Sequence, residues 1–178
     1  MSHFHPTPSQ DTTSDTEDHA PALPKWAQGA ATSGIPRNLK MEQMEALTMR
    51  VQDQICAAME RADGEGRFRE DTWSRKEGGG GRSRVLQDGR VFEKAGVGVS
   101  IVHGHLPPAA VRMMNSRGKN LPVPGAPKPG SAPGAPALKV PFYACGVSLV
   151  IHPKNPMAPT AHANYRMFQV LETDPATG

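Results

Sequence analysis

The sequence predicts an α+β fold in which a large, mainly antiparallel sheet is flanked by helices. Three features point that way. Residues 39–62 place apolar side chains at steps of three and four, the spacing of one helix face. Residues 70–105 and 140–172 alternate in steps of two, as strands do. Within the first of those stretches Asp88-Gly89 suits a tight hairpin turn, which joins neighbouring strands antiparallel.

Residues 1–36, rich in Ser, Thr, Pro, Asp and Ala, read as a disordered leader. Asn38 suits the N-cap of the helix, whose apolar positions are Met44, Leu47, Val51, Ile55, Ala58 and Ala62. Its methionines are expected to pack in the core rather than bind a ligand. Asp63-Gly64-Glu65-Gly66 ends it, a glycine supplying the left-handed stop. Thr72 to Arg75 then leads into four glycines, followed by Val85 to Gln87, the turn, and Arg90 to Lys94. Val97, Val99 and Ile101 alternate against Gly98, Ser100 and Val102, an apolar strand with one small-residue side. Small residues on a strand let a helix, a flat ligand or another subunit come close. Leu106-Pro107-Pro108 starts a short helix through Met114. Residues 122–136, with six Pro and three Gly, read as a semi-rigid surface insert. Val140 to Ile151 resumes the sheet, and Asn164 to Phe168 alternates again.

At 178 residues the chain fits one domain or part of a larger one. Its hydrophobic content of 37% and mean hydropathy of -0.49 are low for a compact fold, and 18 Gly and 18 Pro account for much of that. No run of about 18 apolar residues exists, so no transmembrane helix is expected. The first residues carry Asp11, Asp15, Glu17 and Asp18 against Lys25, unlike an Arg-rich transit peptide, and they lack a signal-peptide apolar core. A cytoplasmic protein is expected, with an organelle open if the natural N-terminus differs. Cys56 and Cys145 make no disulfide framework and are expected reduced and buried. A net charge of +3 and a pI of ≈ 9.0 invite a nucleic-acid reading. Without a basic block, and with aromatics at only 5%, that reading fails, whereas a small polyanionic substrate suits the charge equally.

The stretch from Gly146 to Phe168 carries the chemistry. Pro153, Pro156 and Pro159 fix φ and remove three backbone donors, which holds the neighbouring polar side chains at little entropic cost. Asn164 and Arg166 should share one face of the last strand, with His162 just before it. A histidine moves protons near neutral pH, and an Arg fork matches a carboxylate. Asn164 both donates and accepts. Ser148 lacks the second glycine of a nucleophile elbow. His152 and His162 are the residues a divalent metal would use, but two imidazoles nine residues apart are a weak metal signal. Gly78 to Gly81 is followed by Arg82-Ser83-Arg84 and a strand, not by the Gly-Lys-Ser/Thr of a phosphate loop, so nucleotide binding is not expected.

The run Gly146-Val-Ser-Leu-Val-Ile-His-Pro-Lys-Asn-Pro-Met-Ala-Pro-Thr-Ala-His-Ala-Asn-Tyr-Arg-Met-Phe168 resembles the signature segment of the oxygen-dependent coproporphyrinogen III oxidases. Phe68 to Gly81, Ser83 to Gly89, Val91 to Val97 and Ser100 to Gly104 resemble the same family in the same order, so the likeness covers roughly residues 38–121 and 139–172. The resemblance implies that family's fold, incomplete here, and oxidative decarboxylation of coproporphyrinogen III to protoporphyrinogen IX in haem biosynthesis. Molecular oxygen would be the co-substrate, with no organic cofactor and no required metal. His162 would transfer a proton, and Ser148, Asn164, Tyr165 and Arg166 would bind substrate. A homodimer contact is implied near Val97 to Leu106, read as an apolar edge strand needing cover, and the four glycines would form a flexible loop by the site. Relatives continue beyond the point where this chain stops, at Gly178. It therefore reads as an N-terminal portion, with an inactive remnant that keeps the substrate-binding or dimerisation surface as the alternative.

Overall fold

The structure is a computed structural model and describes residues 37–122 and 139–171. The expected leader, and the expected insert apart from Pro122, lie outside the described residues. Seven elements follow in chain order: α1 (Leu39–Asp63), β1 (Arg69–Ser74), β2 (Gly79–Gln87), β3 (Phe92–His105), α2 (Pro108–Ser116), β4 (Pro141–Pro153) and β5 (Ala161–Val170). The strands form one sheet in the order β1-β2-β3-β4-β5, every pair antiparallel. The α+β expectation holds.

β3 is the central strand, not an edge. Its buried side chains Val97, Val99 and Ile101 pack under α1 with Tyr143, Cys145 and Val147 of β4, forming the main core. The edge-strand argument for a subunit contact there is overturned, because the apolar face of β3 is already covered within the chain. A second cluster joins Met59, Leu86 and Ala95. On the opposite face α2 packs at one end only, where Leu106, Val111 and Val140 meet Phe142 and Val170.

α1 starts as expected: the Asn38 side chain accepts a hydrogen bond from the Met41 N–H at 3.0 Å. It ends at Gly64, whose φ of 83° is the left-handed region glycine adopts without strain. The buried line, however, is not the expected one. Leu47, Ala58 and Ala62 are exposed, while Met41, Glu45, Thr48, Gln52, Cys56, Met59 and Asp63 are buried. Met44, Val51 and Ile55 flank that line, half-buried. The helix has turned because its polar residues have specific partners in the sheet. Gln52 Nε2 donates to the backbone carbonyls of Arg82 (2.9 Å) and Val97 (2.8 Å). Tyr143 Oη donates to Glu45 at 2.7 Å, and Arg37 pairs with the same carboxylate. Arg82 and Arg84 both reach Asp53, at 2.6 and 2.8 Å.

The β2–β3 connection is wider than a two-residue hairpin. Residues 88–91 form a loop, and the buried Asp63 carboxylate accepts from the backbone N–H groups of Arg90, Val91 and Phe92 at 2.9–3.0 Å. A Cβ on Gly89 would fall 2.3 Å from that carboxylate, so glycine is what lets the loop reach the helix end. Of the four glycines only Gly78 lies in a loop. Gly79, Gly80 and Gly81 belong to β2 and pair with Val102, Ile101 and Ser100.

Candidate active site

Register decides which side chains meet on the face that α1 does not cover. β4 and β5 pair Gly146 with Arg166, Ser148 with Asn164 and Val150 with His162. Opposed residues of an antiparallel pair hold their Cβ atoms about 4.5–5.5 Å apart, so the Ser148 hydroxyl and the Asn164 amide are neighbours. His162, Asn164 and Arg166 occupy alternate positions and stand in line along one face. His162 is the second residue of β5 rather than a residue before it, and this places it on that face. All three are exposed.

The turn that sets this register spans Lys154 to Thr160. Pro156 and Pro159 stiffen it, and Asn155 ties it: its side chain accepts from the Met157 N–H at 2.9 Å and its carbonyl from the Ala158 N–H at 3.0 Å. Pro153 is the last residue of β4, where a missing donor breaks no further ladder bond.

Across the sheet the same rows continue over small residues. The Asn164 row runs through Ser148, Gly98 and Ser83 to Asp71. The Arg166 row runs through Gly146, Ser100 and Gly81 to Trp73, and the His162 row through Val150, Gly96 and Val85 to Arg69. A Cβ built on Gly96 meets nothing within 4 Å, and one on Gly98 meets only Ser148 Oγ at 3.8 Å. The result is a flat-floored trough. Within it lies a depression of ≈ 270 Å³ lined by Ser83, Val85, Gly96, Gly98, Ser148, Val150 and His162, together with Arg84, Val97 and Leu149. At the far end Phe142 and Phe168 stack at 5.8 Å, next to the α2 cluster.

Of the residues picked from the sequence, the fold brings Ser148, His162, Asn164 and Arg166 together. Tyr165 is not among them. It pairs with Val147, so it points to the opposite face, where it is 67% exposed. His152 stands on the trough face, diagonal to His162, with Nδ1 3.3 Å from Thr160 Oγ1. No group of three His, Cys, Asp or Glu able to hold a metal occurs among the described residues. His152 and His162 are the two imidazoles that this face offers a divalent ion. Both cysteines are free and buried on the helix-covered side, where burial pushes their thiols up and keeps them protonated.

Of the floor, the sequence offers Gly98 and Ser100 as one small-residue strand side open to a flat ligand, but not its continuation on the neighbouring strand. Its signal was present: Gly79, Gly81, Ser83 and Gly96, Gly98, Ser100 recur at every second position on two strands that prove adjacent. Chemically, the trough offers a guanidinium fork, an amide, a hydroxyl and an imidazole along one wall of a flat surface. That set suits a flat molecule bearing carboxylates.

Residues 43–177 match the family model described as coproporphyrinogen III oxidase. The chain is similar to the mitochondrial oxygen-dependent coproporphyrinogen-III oxidases of Homo sapiens, 52% identical over 139 residues, and Mus musculus, 50% identical over 139 residues. In both cases 78% of this chain and 28% of the relative are covered. The Drosophila melanogaster enzyme is 50% identical over 141 residues, covering 79% of this chain and 33% of the relative. The chain thus spans about a third of the length of the curated relatives it matches. With a match that takes in every strand and the whole trough, this chain belongs to the coproporphyrinogen III oxidase family.

Proposed function

We propose that the trough binds coproporphyrinogen III and that the protein catalyses its oxygen-dependent oxidative decarboxylation to protoporphyrinogen IX, a step of haem biosynthesis. One observation carries this reading: Ser148, His162, Asn164 and Arg166 stand on one face, beside a floor of glycine and serine that accepts a flat ring. Arg166 and Asn164 hold a propionate by charge-assisted hydrogen bonds, and Ser148 adds a third. His162 exchanges a proton with the substrate. Tyr165, on the other face, takes no part in that contact. Each of two propionates loses its carboxylate as carbon dioxide and one hydrogen from the neighbouring carbon, leaving a vinyl group. The two electrons released each time pass, with two protons, to a dioxygen, which becomes hydrogen peroxide. The electron-rich porphyrinogen supplies the electrons itself, so the reading needs no organic cofactor and no metal. The protein's part is to position, shield and move protons.

A homodimer belongs to the same reading. With Val97, Val99 and Ile101 under α1, the exposed residue that the span Val97 to Leu106 leaves to such a contact is His105. Sedimentation of the chain tests it. Cytoplasmic residence is likewise part of this reading, resting on the acidic first residues. The human relative is named mitochondrial and that of Glycine max chloroplastic, so fractionation of tagged protein is the check.

The test is conversion of coproporphyrinogen III under oxygen, following vinyl product and carbon dioxide. His162→Ala should lower turnover more than binding, because a proton-transfer group acts mainly in the transition state. Arg166→Ala should also weaken binding, by about 1.5–3 kcal/mol for one charged hydrogen-bonded contact. Full activity in both variants overturns the assignment. One rival reading is a remnant that keeps the substrate-binding or dimerisation surface without reacting. Substrate binding by the 178-residue chain without vinyl product selects it.

A further inference from the structure

The wall opposite Arg166 belongs to β1, and one residue on it has no role so far. Trp73 sits on a strand whose six residues are all exposed. Its indole lies over Gly81, where a Cβ would fall 2.3 Å from indole Cζ2, and it remains 36% exposed. Gly81 therefore acts as a seat that holds the ring on the trough face. Trp73 occupies one row with Gly81, Ser100, Gly146 and Arg166. Between indole and guanidinium the floor carries a single hydroxyl and no larger side chain. Four inter-strand steps separate them, roughly 19 Å at the backbone. An apolar, polarisable wall at one side and a carboxylate fork at the other match a flat ring that carries its acids on the rim.

We propose that Trp73 is the second wall of the tetrapyrrole site, contacting the ring edge remote from the carboxylate held by Arg166, and that it sets where the ring lies along the row. The proposal rests on reading the trough as the tetrapyrrole site. A purely structural indole would cover the glycine backbone of β2 and take no notice of ligand. A contact residue feels the ring directly.

The chain has two tryptophans, Trp26 and Trp73, so Trp26→Phe leaves Trp73 as its single indole. Labelled with 5-fluorotryptophan, that full chain is titrated with coproporphyrin III, the stable oxidised tetracarboxylate. Binding is followed independently by equilibrium dialysis. The fluorine resonance should shift in step with binding, since the macrocycle's ring current acts only at short range. Trp73→Leu should weaken dialysis-measured binding about tenfold, as loss of one aromatic contact does, and Trp73→Phe should recover most of it. An unmoved resonance with undiminished binding to Trp73→Leu overturns the proposal while the trough reading stands, provided Arg166→Ala still weakens binding. Binding indifferent to Arg166→Ala, or no binding, removes the trough reading and this proposal with it. Urea midpoints of the Trp73 variants separate loss of contact from loss of fold.

Discussion

A missing side chain is the most consequential residue-level feature of this protein. Gly96 faces open space in the middle of the trough, and neither packing nor a positive φ demands glycine there. A strand glycine without such a demand weakens its strand, because it has more backbone freedom to lose and nothing to pack. Its use lies in what it leaves vacant. Gly96→Val should therefore hold or raise stability, by about 0.4–1 kcal/mol, since a β-branched residue restricts the unfolded chain. The same change should weaken coproporphyrin III binding about tenfold, because the added methyls occupy the floor and overpacking costs about 1–3 kcal/mol. Urea denaturation and equilibrium dialysis measured side by side check both halves. A variant that binds normally would mean that ligand does not touch this floor.

At the scale of elements, α1 and the sheet are joined by polar recognition as much as by apolar burial. Gln52 is fully buried and bridges α1 to β2 and β3 through two backbone carbonyls, while its Oε1 accepts from Arg82 Nε at 2.6 Å. Gln52→Leu keeps the apolar volume but leaves those partners unmet, and should cost about 2–3 kcal/mol. Tyr143→Phe removes a 2.7 Å hydrogen bond to the buried Glu45 carboxylate and should cost about 1.5–3 kcal/mol. Both losses appear as a lowered urea midpoint with an unchanged slope. These contacts also explain the misread helix face. The apolar periodicity of Met44, Val51 and Ile55 locates the helix correctly and its buried line one position off, because Glu45, Thr48 and Gln52 look like surface residues until their partners on distant strands are known.

For the whole molecule, acid tolerance follows from two buried groups. His103 is 1% exposed, and neither ring nitrogen has a hydrogen-bond partner among the described residues. Burial first, then the charges of Arg37 and Arg75, hold its imidazole below the ordinary value. The unfolded chain takes up a proton near pH 6.5 where the folded chain does not, so stability is full above about pH 6.5 and falls as the pH drops below it. Asp63 works lower. Burial pushes its carboxyl up, but the N–H groups of Phe92, Gly66, Arg90 and Val91 outweigh that and hold it well below the usual carboxylate range. Its contribution is present above about pH 4 and is lost as the pH falls further toward the folded value. The expected profile is thus a gentle decline below neutrality and a steeper one below about pH 4. His103→Leu should abolish the first and add about 1 kcal/mol at pH 7, since an unpaired buried polar group is replaced by an apolar one. Asp63→Asn should abolish the second and lower stability at every pH. Urea titrations from pH 7 to 3 read both.

Much of the site was legible because it is local. The period-two spacing of Asn164 and Arg166, the proline-stiffened turn before them and the Asn38 cap depend on neighbours in the chain, and a sequence contains its own neighbours. It also determined the family, since motif order is a property of the chain alone. Only the tertiary structure decided which strands adjoin. That choice put β3 in the centre, laid three glycines into β2 instead of a loop, aligned Ser148 with Asn164 and set Trp73 opposite Arg166. Register turns a side chain to one face or the other with every single-residue step, and so it also decided that Tyr165 faces away while its two neighbours face the trough. Pairing of that kind is fixed by packing summed over the whole sheet, and no local stretch of sequence contains it.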